Sequence, residues 1–220
     1  MTPELRGVWE NIRDLGLGAM QHALRLSLYF HEGNPKWPAL SVLSAAHAAE
    51  LLIKARIAYE HPLLIFDTTH KTQSGDALDF AVVASEGRTF QYNDLPARLW
   101  AATGIRVPRE SEYRDFGKLR NIVQHFAEPD EDLSARTVRF VFDVIDPFIG
   151  EQWELFAVDY NEEHGEHYEH IIEILVELDV RPRLSPAAIE NWKGYRIPQK
   201  APPGYRQWFE DAVGARDRDT

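Results

Sequence analysis

The chain has 220 residues, a formal net charge of -11 and no cysteine. That length suits one full-sized domain with a sizeable core, and the lack of cysteine excludes disulfide scaffolds, thiolate zinc sites and cysteine nucleophiles. The negative charge opposes broad binding of nucleic acid by the average surface.

The charge is unevenly spread. Residues 1–127 carry 14 acidic and 14 basic side chains, residues 128–179 carry 16 and 2, and residues 180–220 carry 5 and 8. A polyanion is therefore repelled by the middle block and tolerated by the first half. Within that half the run from Arg106 to Arg120, with Arg109, Arg114 and Lys118 against Glu110, Glu112 and Asp115, is weakly basic and compatible with nucleic acid. The N-terminal segment has no apolar stretch flanked by basic residues, and no later segment is apolar for long enough to cross a bilayer, so the expectation is a soluble cytoplasmic protein with no membrane partner.

In chain order, Leu5, Val8, Ile12, Leu15, Ala19, Ala23 and Leu26 recur at helical spacing and predict a helix from Pro3 to about Phe30, with Thr2 as its cap. After "HEGNPKWP" a second helix is expected from Trp37 to about Tyr59; it is apolar around most of its circumference and should be central. Residues 61–93 read as an insertion, in which "FAVVASEGRTFQY" suggests a hairpin turning at Glu86 and Gly87. A short helix, "NDLPARLWAAT", should stop at Gly104. Another is expected from Tyr113 to Phe126, ended by "EPDED". A long helix capped by Ser134 follows, kinked by Pro147. "EHYEHIIEILVEL" is compatible with one more helix, and the tail from Pro182 reads as an irregular extension. The fold class expected is all-α: an antiparallel bundle of four to five helices over residues 1–160, with an acidic helix and a proline- and aromatic-rich tail over 161–220 packed on it.

Several chemistries have no motif. No histidine has a glutamate three residues before it, no His-Glu-x-x-His exists, and neither a phosphate-binding Walker pattern nor a Gly-x-Ser-x-Gly elbow is present. His164, His167 and His170 in "EEHGEHYEH" are spaced by three. Two of them can share a helix face while the third drifts off it, so the run reads as a solvated acidic face before it reads as a metal site. No metal and no cofactor is expected.

The remaining motif is "KLRNIVQHF", residues 118–126. Arginine, asparagine immediately after it and histidine four residues beyond coincide by chance only about 0.02 times in such a chain. On a helix Leu119, Ile122, Val123 and Phe126 should form the stripe that faces the core, leaving Arg120, Asn121, Gln124 and His125 on the other side. Arg120 and His125 diverge by about 140°, so converging them requires a second copy of the helix. The stretch resembles the Arg-Asn-x-x-x-His signature of HEPN domains, the higher eukaryotes and prokaryotes nucleotide-binding family, and "AAHAAELLIKARIAYEH" is similar to the central helix of that family.

The resemblance implies a helical bundle that dimerises and cleaves RNA without metal, often as a toxin or in defence against phage, with RNA as substrate and an antitoxin or regulatory protein as a possible partner. It implies Arg120 and His125 as catalytic residues, with Asn121 holding His125 or bonding a phosphate oxygen. The chemistry suits them. An imidazole exchanges protons near neutral pH, a guanidinium fork matches phosphate, and transfer from a 2′-hydroxyl needs both a base and cations around the phosphorus oxygens. Lys118, and Glu50 with Lys54 on the central helix, are supporting candidates. Glu50 and Lys54, one turn apart, read first as a stabilising ion pair, and the resemblance offers the alternative that Glu50 borders the cleft. The alternative function is a non-catalytic module of the same fold that binds a partner protein or nucleotide. Ala127 stands where some family toxins carry a modifiable tyrosine, and the acidic block and tail lie outside the family pattern.

Overall fold

The computed structural model describes residues 5, 7–29, 31–68, 80–126, 129–160 and 168–214. The protein is all-α with one two-stranded sheet among these residues, and no described helix is long and apolar enough to cross a membrane. Helices α1 (Val8–Leu28) and α2 (Trp37–Glu60) form where the spacing predicts them, while the expected cap Thr2 lies outside the described residues. The chain divides into two compact units, Met1–Gly18 with His47–Val107, and Ala19–Ala46 with Pro108–Thr220.

In the first unit α2 is buried on opposite sides, with Ala48, Leu52, Ala55 and Ile57 all fully covered. Glycine at position 16 lets α1 approach closely, because a Cβ there would stand 2.9 Å from Leu52 Cγ. The expected hairpin over residues 80–92 does not form. Phe80–Glu86 is a helix, α3, and only Arg88–Thr89 (β2) is extended, pairing antiparallel with Phe66–Thr68 (β1) upstream. Gly87 makes this junction: its N–H bonds Val83 O at 2.8 Å, and any Cβ would collide with that same oxygen. Helix α4 (Leu95–Thr103) ends as expected at Gly104, whose φ of 76° is left-handed.

The second unit holds α5 (Glu110–His125), α6 (Leu133–Phe140), a π-helical turn (Val141–Ile145) and α7 (Asp146–Trp153). The cap of α6 is Asp132, which accepts a hydrogen bond from Ala135 N at 2.9 Å, not Ser134; a carboxylate two residues earlier takes the capping role. Pro147 distorts the long helix as expected, but through the π turn: proline offers no N–H to the carbonyl four residues back, and the Asp146 N–H reaches Val141 O, five residues back. Phe116 stacks on Phe140 at 3.8 Å, and the buried hydroxyls of Ser41 and Thr137 bond at 2.8 Å.

The tail is not irregular. Ser185 caps α9 (Pro186–Trp192) by accepting from Ala188 N, and α10 (Tyr205–Gly214) follows the Gly204 turn. Proline at the first turn starts a helix as readily as it stops one, which the composition of the tail concealed. Before α9 lies α8 (Tyr168–Glu177), where the ring of His170 bonds Leu28 O at 2.9 Å. Asp146, fully buried, ties the tail to α7: its carboxylate accepts from Ala157 N at 2.8 Å and Arg183 N at 3.2 Å, while the Arg183 guanidinium donates to the carbonyls of Asp146 and Leu155 and lies over Phe156. Burial pushes the Asp146 carboxyl up to about 6, against the opposing pull of its two backbone bonds and of Arg183.

Candidate functional site

Helix α5 carries the motif. Glu110 and Glu112 stand in its first turn and His125 in its last, a distribution that complements the helix dipole. Tyr113, Phe116, Gly117 and Leu119 anchor it by burial. The anchoring stops there. Ile122 is 42% and Phe126 84% exposed, so of the stripe expected to face the core Leu119 is buried and Val123 half-buried, and the other two members stand out. At the last turn of α5 the side chains of Ile122 and Phe126 stand bare while Val123 keeps partial cover.

Arg120 is half-buried, and its Nη1 donates to Asn121 Oδ1 at 2.9 Å. Asn121 therefore orients the guanidinium; the resemblance implied that it holds His125 or bonds a phosphate oxygen. His125 is exposed, with the Phe126 ring edge-on at 6.2 Å, and among the described residues it makes no side-chain hydrogen bond. Lys118 is exposed and already paired with Asp115 at 2.7 Å. Its donor is turned back along its own helix.

Glu50 and Lys54 belong to the other compact unit. They form the ion pair that their spacing allows, at 2.6 Å, and Lys54 Nζ also donates to Thr89 Oγ1 at 3.0 Å. The lysine thereby ties α2 to β2, a structural task. His47 on the same helix is exposed. His164 and His167 lie outside the described residues, His170 is occupied by a backbone carbonyl, and among the described residues no group of three or more His, Asp or Glu could hold a metal ion.

Sequence reading missed a second constellation on the same helix. Arg109, at the N-cap of α5, pairs with Asp143 at 3.2 Å, and Arg136 and Arg139 of α6 stand across a cleft of about 160 Å³ from it. One signal was available: Arg136 and Arg139 are the two basic residues of the acidic block 128–179, and their three-residue spacing puts them on one face.

Compared with models of protein families, with curated proteins and with solved structures, the chain shows no match.

Proposed function

We propose that the protein is a metal-independent endoribonuclease of the HEPN type that works as a homodimer. The observation that carries this reading is the last turn of α5, where an exposed imidazole, a guanidinium oriented by its neighbouring asparagine, and the bare Ile122 and Phe126 side chains lie within seven residues. Apolar side chains bare in one chain favour cover by another, and a two-fold axis at this turn would bring two copies of Arg120 and His125 to one phosphodiester.

In that pocket one His125 accepts the proton of a 2′-hydroxyl as its oxygen bonds to phosphorus. The P–O5′ bond breaks, and the imidazolium of the second His125 protonates the leaving 5′-oxygen. The products are a 2′,3′-cyclic phosphate and a 5′-hydroxyl. Both Arg120 guanidiniums hold the charge that grows on the non-bridging oxygens. Glu50 and Lys54 take no part, since they satisfy each other and Thr89. In a cell such an enzyme acts as a toxin or phage-defence effector, restrained by a cognate antitoxin or regulatory protein.

The test is digestion of RNA in EDTA by the wild type, Arg120→Ala and His125→Ala, with light scattering to report the oligomer. We expect each substitution to lower cleavage by roughly 10²–10⁴-fold with the dimer intact. A monomeric wild type, or activity equal in all three proteins, removes the reading.

A further inference from the structure

The cleft at the start of α5 offers more donors than its two carboxylates engage. Its floor is the stacked pair Phe116 and Phe140, and three guanidiniums stand around it, from Arg109, Arg136 and Arg139. Each guanidinium carries five N–H donors, and few are used. Arg109 gives one contact to Asp143 at 3.2 Å, and Arg136 gives its Nε to Glu131 at 3.2 Å. Arg139 faces Asp143 electrostatically but makes no side-chain hydrogen bond or direct ion pair among the described residues. The backbone is shaped around this arrangement too: Arg109 sits in the left-handed region at φ 44° and ψ 54°, a conformation uncommon for a residue with a side chain.

We propose that Arg109, Arg136 and Arg139 form a phosphate-binding site. Planar forks converging from two helices match the several oxygens of a phosphate better than the two of a carboxylate. A cleft of this size has room for a phosphate group. The two carboxylates in the wall do not forbid an anion. Glu112 accepts a 2.6 Å bond from the Ser111 hydroxyl, which together with Arg109 keeps it ionised, and the three guanidiniums outnumber the two carboxylates. The Asp143 carboxyl is pushed up by burial, against the pull of Arg109 and Arg139. An arriving phosphate pushes it further the same way, which weakens the hold of Asp143 on Arg109 and leaves that guanidinium to the phosphate oxygens.

The phosphate has two possible sources: a free ion or terminal phosphate, or a phosphodiester within an RNA strand. The second rests on the ribonuclease reading and is favoured by helix geometry. Arg109 and Arg120 are eleven residues apart, which brings them within about 20° of each other around α5 and roughly 16 Å along it. A strand held at one would run along the helix towards the other.

Titration with inorganic phosphate, followed by ³¹P NMR at fixed ionic strength, tests the site in the full chain. Saturable binding should weaken about tenfold or more in Arg139→Ala and Arg136→Ala and stay unchanged in Arg114→Ala, whose side chain is engaged with Glu110 on the same helix. Failure to saturate, or equal weakening in all three variants, overturns the proposal. A 2′-O-methylated RNA strand, which cannot be cleaved, separates the sources: weaker binding in Arg139→Ala assigns the site to the strand, and unchanged strand binding beside lost phosphate binding assigns it to a free phosphate. Phosphate binding through Arg139 in a protein that never cleaves RNA keeps this site and sinks the ribonuclease reading; cleavage without phosphate binding does the reverse.

Discussion

Asp143 and Asp146 stand three residues apart on one distorted helix, and their surroundings differ in nearly every respect. Asp143 is half-buried beside the exposed guanidinium of Arg109, in a cleft with donors to spare. Asp146 is fully buried, with its two oxygens taken by the N–H groups of Ala157 and Arg183. In both, loss of water raises the carboxyl above its ordinary range. The contrast teaches that a shifted carboxylate is not by itself a sign of function. What separates a structural acid from one that can serve a ligand is whether the donors around it are already committed.

The largest expected effect lies at the buried acid. Asp146→Ala strands two buried backbone N–H groups, of Ala157 and Arg183, and removes the carboxylate beside the Arg183 guanidinium, whose bonds to the carbonyls of residues 146 and 155 remain. We expect a loss of about 3 kcal/mol in urea unfolding. A loss below about 1 kcal/mol would mean that the tail is held by its aromatic contacts alone and that the clasp is incidental.

The next effect is a pH dependence. Folding raises the Asp146 carboxyl from 3.8 to about 6, so between these values the native state binds the proton more tightly than the unfolded chain. Stability from this group therefore rises as pH falls from about 6 towards about 4, by about 2 kcal/mol over the whole window. Asp146→Asn cannot titrate. The difference in unfolding free energy between wild type and this variant should shift in favour of the wild type as the pH is lowered through 6, and a difference that stays constant would contradict the burial assigned to Asp146.

The local parts of this fold were legible because their causes are local. Gly104 stops α4 by adopting a left-handed backbone, and Pro147 disturbs the long helix by its missing donor; both can be read from one residue. The strand pairing of Phe66–Thr68 with Arg88–Thr89 could not, since it depends on where α3 brings the chain back. Arg183 meets Asp146 across 37 residues, with no motif to announce it. At the candidate site the sequence supplied Arg120, Asn121 and His125 and their helix. It misjudged the stripe on that helix, because periodicity tells which side chains share a face and not how far the neighbouring helices extend to cover it. Ile122 and Phe126 belong to the right face and lie beyond its cover.

The smallest effect belongs to the exposed acid, and it sharpens the comparison from the other side. Asp143 and Arg109 retain 30% and 56% of their side-chain exposure, so their ion pair is screened by solvent and each partner is readily hydrated when the other is lost. Asp143→Asn should change unfolding free energy by no more than about 0.5–1 kcal/mol. The substitution removes a negative charge from the wall while supplying a hydrogen-bond donor for an incoming oxygen, so phosphate affinity in the same variant should rise where stability scarcely moves. A substitution at Asp143 as damaging as one at Asp146 would show the exposed pair to be part of the scaffold, because a guanidinium that the fold needs for its own carboxylate is not one that a ligand can claim.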